Sequence, residues 1–352
     1  MDESWSEDIL GDPFHALTLP LEPDDEGPRV ATLVAYEPDA PPDAGGEAPG
    51  PVRAVLYIHG FSDYFFHTEL AEALAARGWA FFALDLHKYG RSLLPGQTPG
   101  FAVSLEEYDA DIEAALAALR ARLASRAGTA TDPEVVLMAH STGGLTATLW
   151  AARHPGRIAA LVLNSPWLDT QGSALLRSAA QGILDTLSRR RPKARLRLPA
   201  LGFYFRSISD TLDGEWPIDP AWRPETGFPI RAGWLAAVLA GHAALSRGVT
   251  VDVPVLVLCS AASSISATWS ESMLESDSIL DVVPMVRRAA ELGHHVTIRR
   301  LPGALHDVFL SRPGVRDAAV RAATAWMDAQ VPAGSRPPVA RSAPSRPGPP
   351  PR

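Results

Sequence analysis

Glu134 to Gly156 reads EVVLMAHSTGGLTATLWAARHPG. An apolar run, Val135 to Ala139, meets His140-Ser141-Thr142-Gly143-Gly144, and a helical pattern with Leu145, Leu149 and Trp150 on one face follows. A strand that turns this sharply into a helix pushes the corner side chain out of the sheet and leaves room only for small neighbours. Ala139 and Gly143 supply them, so the string reads small-x-Ser-x-small. A serine hydroxyl is a weak nucleophile until a base takes its proton and donors stabilise the oxyanion. The corner suits that task, because the N–H of Thr142 points where an oxyanion would form.

Working outward, segments of strand and helix character alternate. Strand candidates are Arg53–His59, Trp79–Asp85, Glu134–Ala139, Ile158–Asn164, Val253–Cys259 and His295–Arg300. They are nearly continuous apolar runs, as parallel strands covered on both faces should be. Between them lie helical segments at Thr68–Arg77, Leu105–Arg126, Ser141–Arg153, Val283–Leu292 and Gly314–Ala329. This alternation predicts an α/β fold with a doubly wound, mostly parallel sheet. Two earlier strands, around His15–Leu21 and Arg29–Tyr36, are expected to pair antiparallel at one edge. From Pro166 to Val251 no strand is visible; the interval holds Trp167, Trp216, Trp222 and Trp234 and the basic run SRRRPKARLRLP. An insertion of that size predicts a helical cap at 166–251, with the core formed by 1–165 and 252–330. The Pro-, Ser- and Arg-rich segment 331–352 is expected to be disordered, and Asp39 to Pro51 to be a loop.

Composition bounds the partners. The 352 residues are 46% hydrophobic and 20% charged, with a net charge of −8, which disfavours nucleic acid. The single cysteine, Cys259, reads as a buried apolar side chain, and nothing calls for an oxidising compartment. The acidic start MDESWSEDILGDPF lacks a basic segment followed by an apolar core, and no run reaches the ~18 apolar residues of a membrane span. The expectation is a cytoplasmic protein, with weak membrane-surface contact through the cap left open by its basic run. His294-His295 is not expected to bind metal, because neighbours on a strand face opposite ways.

Four motifs in order resemble an α/β-hydrolase, and within that fold the monoacylglycerol lipase/lysophospholipase-like branch with a serine-aminopeptidase-type domain. VLYIHGFSDY (Val55–Tyr64) is similar to the family's His-Gly oxyanion segment. DLHKYGRS (Asp85–Ser92) is similar to its Asp-x-Arg-Gly-His-Gly-x-Ser turn, with the arginine and the histidine replaced. AHSTGG is the serine corner, with alanine for the usual first glycine, and LPGALHDVFLS (Leu301–Ser311) resembles the segment that carries the base. The resemblance spans roughly residues 28 to 330. It implies Ser141 as nucleophile, His306 as base, the N–H groups of Phe61 and Thr142 as oxyanion donors, a supporting role for His59, and no cofactor.

The acid departs from the family pattern. The strand ending at Cys259 runs into SAASSISATWSESML with no Asp at the expected place, and ESDSILDVVPMVRRAA follows. An insertion between strand and acid makes Asp277 the favoured acid and Asp281 a helix-start residue; Asp169 in NSPWLD is the rival. The resemblance further implies a small lipid-like acyl ester as substrate, such as a monoglyceride or lysophospholipid. Trp216, Trp222 and Trp234 are candidates to line its site, against the alternative that they pack the cap. A peptidase, thioesterase or acyltransferase would use the same residues, and a catalytically inactive ligand-binding protein is the remaining alternative.

Overall fold

The computed structural model describes residues 4–38, 52–127, 132–169, 184, 186–197 and 201–333. Nine strands form one sheet in the order β1-β2-β3-β5-β4-β6-β7-β8-β9. The strands are β1 (Ser6–Glu7), β2 (Phe14–Asp24), β3 (Gly27–Tyr36), β4 (Arg53–Ile58), β5 (Ala80–Asp85), β6 (Glu134–His140), β7 (Ala160–Asn164), β8 (Val255–Ser260) and β9 (Val296–Leu301). The first three are antiparallel to their neighbours, and β3 meets β5 antiparallel; from β5 through β4 to β9 all pairs are parallel. The six strands expected in the core all form, with ends shifted by a residue or two. The short β1 was not anticipated, since two residues carry no periodicity.

The apolar runs are explained by what covers them. Leu137 and Ala139 of β6 face one core cluster, and Val136 and Met138 between them face another. On the first side lie α2 (Asp109–Ala127) and α3 (Ser141–Arg153), represented by Ile112, Leu116, Leu145 and Trp150. On the second lie α1 (Thr68–Ala75) and the C-terminal helix Pro313–Gln330, through Leu70, Leu74, Ala323 and Met327. The expected helix from Leu105 is divided. Ser104 and Glu107 form a reciprocal capping box around a 3-10 turn, Leu105–Tyr108, and the α-helix starts only at Asp109.

Between β7 and β8 the chain contributes a helical stretch at 186–190 and then α4 (Phe203–Ile208) and α5 (Ala232–Ser246). α5 is apolar on every side and merges with the main core through Trp234, Ala237, Val238 and Leu245. Gly241 permits its close approach, since a Cβ there would stand 3.1 Å from side chains of Leu105 and Leu149. After β8 come α6 (Val282–Ala289), β9 and α7, the helix Pro313–Gln330 already placed on the second face. Of the segment 331–352 expected to be a disordered tail, Val331 is instead buried in the second core cluster, where apolar burial holds it, and residues from 334 onward lie outside the described ones, as does the 39–51 loop. No described helix is long and apolar enough to cross a membrane.

The acidic turn of the β2–β3 hairpin gathers lysines from two distant places. Buried Lys88, in left-handed backbone at φ +64°, reaches Asp24 at 2.6 Å and Glu26 at 2.8 Å. Lys193, from the basic run after β7, reaches Asp25 at 2.6 Å and Glu26 at 2.9 Å. Burial alone would raise the two carboxyls, but the Lys88 ammonium outweighs it and holds Asp24 below its ordinary 3.8 and Glu26 well below 4.5. Carboxyls depressed by folding contribute stability above their unfolded values and lose it as pH falls toward the folded ones. Wild-type Tm should therefore drop as pH is lowered from about 5. Lys88→Met should have a lower Tm at pH 7 and a shallower acid drop, so that the two curves converge at low pH. Parallel Tm curves would contradict this assignment.

Candidate active site

All the chemistry-bearing loops leave the carboxyl ends of the parallel strands, where an open α/β sheet places its ligands. β6 ends at His140, and Ser141 opens α3 with φ +52°. An L-residue in that region costs about 1–2 kcal/mol, which the surrounding packing must offset. The small neighbours have a steric reason. A Cβ on Gly143 would stand 2.1 Å from the His59 carbonyl oxygen, and one on Gly60 would stand 3.1 Å from the Ser141 Cβ. The loop after β4 is therefore pressed directly against the serine corner. Phe61 and Thr142 sit on the two sides of that contact, Thr142 in the first helical turn where backbone N–H groups lack intrahelical acceptors.

The loop after β4 is held from behind by the DLHKYGRS turn. The Leu86 N–H donates to His59 Nε2 (3.1 Å), the Phe65 N–H to Asp85 Oδ1 (3.0 Å), and Arg91 Nη1 to both Asp85 Oδ2 (2.8 Å) and the Phe65 carbonyl (3.0 Å). His59 is thus a structural tie. Gly90 is required here, because a Cβ would fall 2.4 Å from Asp85 Oδ2.

His306 follows β9 and meets Ser141 from the side. Its Nε2 lies 3.0 Å from Ser141 Oγ, and its Nδ1 lies 2.9 Å from Asp277 Oδ2. The other Asp277 oxygen accepts the N–H groups of Ile279 (2.9 Å) and Leu280 (2.8 Å), which fixes the carboxylate. Exposure is 8% for Ser141, 2% for His306 and 0% for Asp277. Of the three candidate acids, Asp277 is the one beside His306. Asp281 caps α6, accepting the Val283 N–H at 2.9 Å, and Asp169 faces Arg287 (3.4 Å) and Arg288 (3.9 Å). The insertion is visible as an excursion, 264–276, pinched at its base. There the Asp277 N–H donates to the Ala262 carbonyl (3.0 Å) and the Ser264 N–H to the Asp277 carbonyl (2.8 Å). The pinch returns Asp277 to the end of β8 however long the excursion is.

The tryptophans separate. The Trp234 ring stacks on Phe61 with centroids 3.9 Å apart. Trp216 packs with Phe66 and donates its indole N–H to the Leu310 carbonyl (2.9 Å), and Trp222 stands edge-on to Tyr64. Only Trp234 is stacked on a residue flanking the serine corner.

A second polar cluster beside Ser141, His306 and Asp277 was not singled out from the sequence. Asp307, next to His306, accepts from Asn164 Nδ2 (2.6 Å) and the Phe309 N–H (2.9 Å), while Asn164 Oδ1 accepts the Val308 N–H (3.1 Å). Burial would raise the Asp307 carboxyl, but His140, His67 and the Asn164 amide together hold it below its ordinary value. Burial pushes the His140 imidazole down to about 4, so it is neutral near pH 7, with Nδ1–H donating to the Asn164 carbonyl (3.1 Å). Its ring lies 4.8 Å from that of His306, and being neutral it places no cation beside that ring. A buried ion pair, Asp63–Arg223, joins the loop after β4 to the insertion. The His-Asp dipeptide was in plain view, but nothing in it tells which carboxylate turns toward Asn164. Among the described residues no cluster of three or more His, Cys, Asp or Glu side chains could hold a metal.

With that geometry in place, the comparisons with known proteins define the class. The fold is that of the α/β-hydrolases. The chain belongs to the serine aminopeptidase S33 family, whose model matches residues 49–312. No curated protein sequence matches it. Among solved structures it is similar to a monoacylglycerol lipase of Paleococcus ferrophilus, at 21% identity over 80% of this chain and 98% of that one, with a TM-score of 0.55. It is also similar to a soluble variant of the Saccharomyces cerevisiae monoglyceride lipase in complex with a substrate analogue, at 15% identity, 94% and 95% coverage and a TM-score of 0.57. A thermostable carboxyl esterase of Bacillus coagulans in complex with glycerol matches at 16% identity, 89% and 98% coverage and a TM-score of 0.58.

The contact between Gly143 and His59 generates a prediction. Gly143→Ala should lower unfolding free energy by about 1–3 kcal/mol, because the added methyl must push the loop after β4 away from the corner. Urea unfolding measures it; wild-type stability would show that the loop yields freely.

Proposed function

We propose that the protein is a serine hydrolase that cleaves carboxylic esters, with lipid-like acyl esters as its substrates. The observation that carries this reading is the relay from Ser141 Oγ through His306 Nε2 (3.0 Å) and Nδ1 to Asp277 (2.9 Å), anchored on a corner at positive φ. His306 Nε2 takes the Ser141 proton as Oγ bonds to the acyl carbon, and the carbonyl π electrons move onto its oxygen. The N–H groups of Phe61 and Thr142 stabilise that oxyanion. The tetrahedral adduct collapses, the ester C–O bond breaks, and imidazolium Nε2–H gives its proton to the leaving alcohol. Water then repeats the sequence on the acyl-serine, with His306 taking the water proton and returning it to Ser141. Asp277 keeps the Nδ1–H tautomer and stabilises the imidazolium throughout.

An apolar substrate is supported by the buried aromatic side chains packed around Phe61, namely Trp234, Phe228 and Tyr89. Family membership and the lipase and esterase structures of the same fold are consistent with this class. The described part of the chain between β7 and β8 supports a cap over the site, and Trp234 on α5 is one of its contacts with the oxyanion loop.

Two expectations follow. Ser141→Ala and Asp277→Asn should each lower ester kcat by about 10³- to 10⁴-fold or more with the fold kept, while Asp281→Asn and Asp169→Asn retain most activity. Fluorophosphonate labelling should be lost in Ser141→Ala; hydrolysis at the wild-type rate by that variant would end the nucleophile assignment. Across p-nitrophenyl esters of rising chain length, Trp234→Ala should impair long acyl chains more than acetyl. Trp216→Ala and Trp222→Ala should act uniformly across chain length and lower stability. A uniform effect of Trp234→Ala would remove it from the acyl site.

A further inference from the structure

The six-residue helix α4 is too short to be stable by itself, so its position is set by what it packs against. One face, Phe203 and Arg206 at i and i+3, closes on Trp269 at the tip of the 264–276 excursion. The Phe203 and Trp269 centroids are 5.9 Å apart, and the Arg206 guanidinium lies 4.1 Å over the Trp269 ring. The buried Met273 belongs to the same excursion, whose 3-10 turn Glu271–Leu274 packs along α4. Tyr204, about a quarter-turn around the helix, points the other way. Its ring stands edge-on to His306 with centroids 5.4 Å apart at 81°, and its Oη accepts the Asp307 N–H at 3.1 Å. Burial holds the phenol well above its ordinary value, so it stays protonated.

We propose that Tyr204 is a positioning residue for His306, and that the 264–276 excursion acts through Trp269 to hold Tyr204 there. This rests on His306 being the base of the reaction above. The imidazole must stay in line with both Ser141 Oγ and Asp277 while it gains and loses a proton. Asp277 fixes Nδ1 from one side, and Tyr204 fixes the ring edge and the adjoining backbone from another. The excursion therefore ties together two things: it carries the acid at its base and the support of the base residue at its tip.

The test is steady-state hydrolysis of a short p-nitrophenyl ester, with kcat expressed per site titrated by a fluorophosphonate, so that misfolded molecules do not count. Tyr204→Ala and Trp269→Ala should each lower kcat by about 10- to 100-fold, the scale of a small misplacement of a reacting group, with KM changed less than about threefold. Tyr204→Phe, which keeps the ring and loses the acceptor of the Asp307 N–H, should fall between wild type and Tyr204→Ala. It also decides the case if Tyr204→Ala yields no titratable sites. Trp269→Tyr, which keeps an aromatic face for Arg206, should restore most of the rate lost in Trp269→Ala. In the double variant, Trp269→Ala should add nothing to the loss in Tyr204→Ala. Wild-type kcat in Tyr204→Phe or in Trp269→Ala, or losses that multiply in the double variant, would overturn the proposal. Ser141→Ala keeps the two questions apart: if it remains active, the serine reading fails whatever the Tyr204 series shows.

Discussion

The close approach of two backbones, His59 to Gly143, is the constraint on which the rest of the site depends. Parallel register brings Ile58 beside Ala139, so β4 and β6 end at the same level and their next residues must pass one another. They do so with the His59 carbonyl filling the space that a side chain at Gly143 would need. Ser141 takes the left-handed conformation at the same corner. The strain there, about 1–2 kcal/mol, is retained because the flanking strands are buried up to the corner and pinned by their neighbours. Sheet register thus sets the level of Phe61 and Thr142, and the side-chain ties of Asp85, Arg91 and His59 hold the loop that carries Phe61.

From that contact outward, the site is a set of loops tied to each other by buried polar groups. Asp85 and Arg91 hold the loop after β4. Asn164 and Asp307 hold the loop that carries His306 to the end of β7. The Asp63–Arg223 pair and the Tyr204–Asp307 bond attach the chain between β7 and β8 to both of these loops. The described part of that chain thus forms part of the site's frame. A buried ion pair of this kind adds little net stability once desolvation is counted, but losing one partner is costly. It fits a role in geometry better than one in stability.

The 264–276 excursion shows how a fold absorbs extra sequence without moving its chemistry. Its two ends are joined by backbone hydrogen bonds, so the length between them does not affect where Asp277 lies. Loop-closure entropy grows only slowly with length, and the excursion recovers contacts by packing on α4.

The sequence alone determined the parallel part of the sheet and the order of its strands along the chain, and it singled out Ser141 and His306, which the fold brings to 3.0 Å of each other. Buried parallel strands must be apolar throughout, and a serine between Ala139 and Gly143 at the end of one has few other uses. The choice among Asp277, Asp281 and Asp169 was open to a sequence argument only through the resemblance, because all three follow strands or precede helices. Of the three, tertiary structure sets Asp277 beside His306, through the pinch at Ser263–Asp277 that no local propensity encodes. The same holds for the tryptophans: composition places them in the cap, but which one meets Phe61 depends on how α5 lies against α3. The polar frame of Asn164, Asp307, Asp63, Arg223 and Tyr204 was not legible at all. Each partner is distant in sequence from the next, and a buried polar side chain looks like a surface one until the fold closes around it.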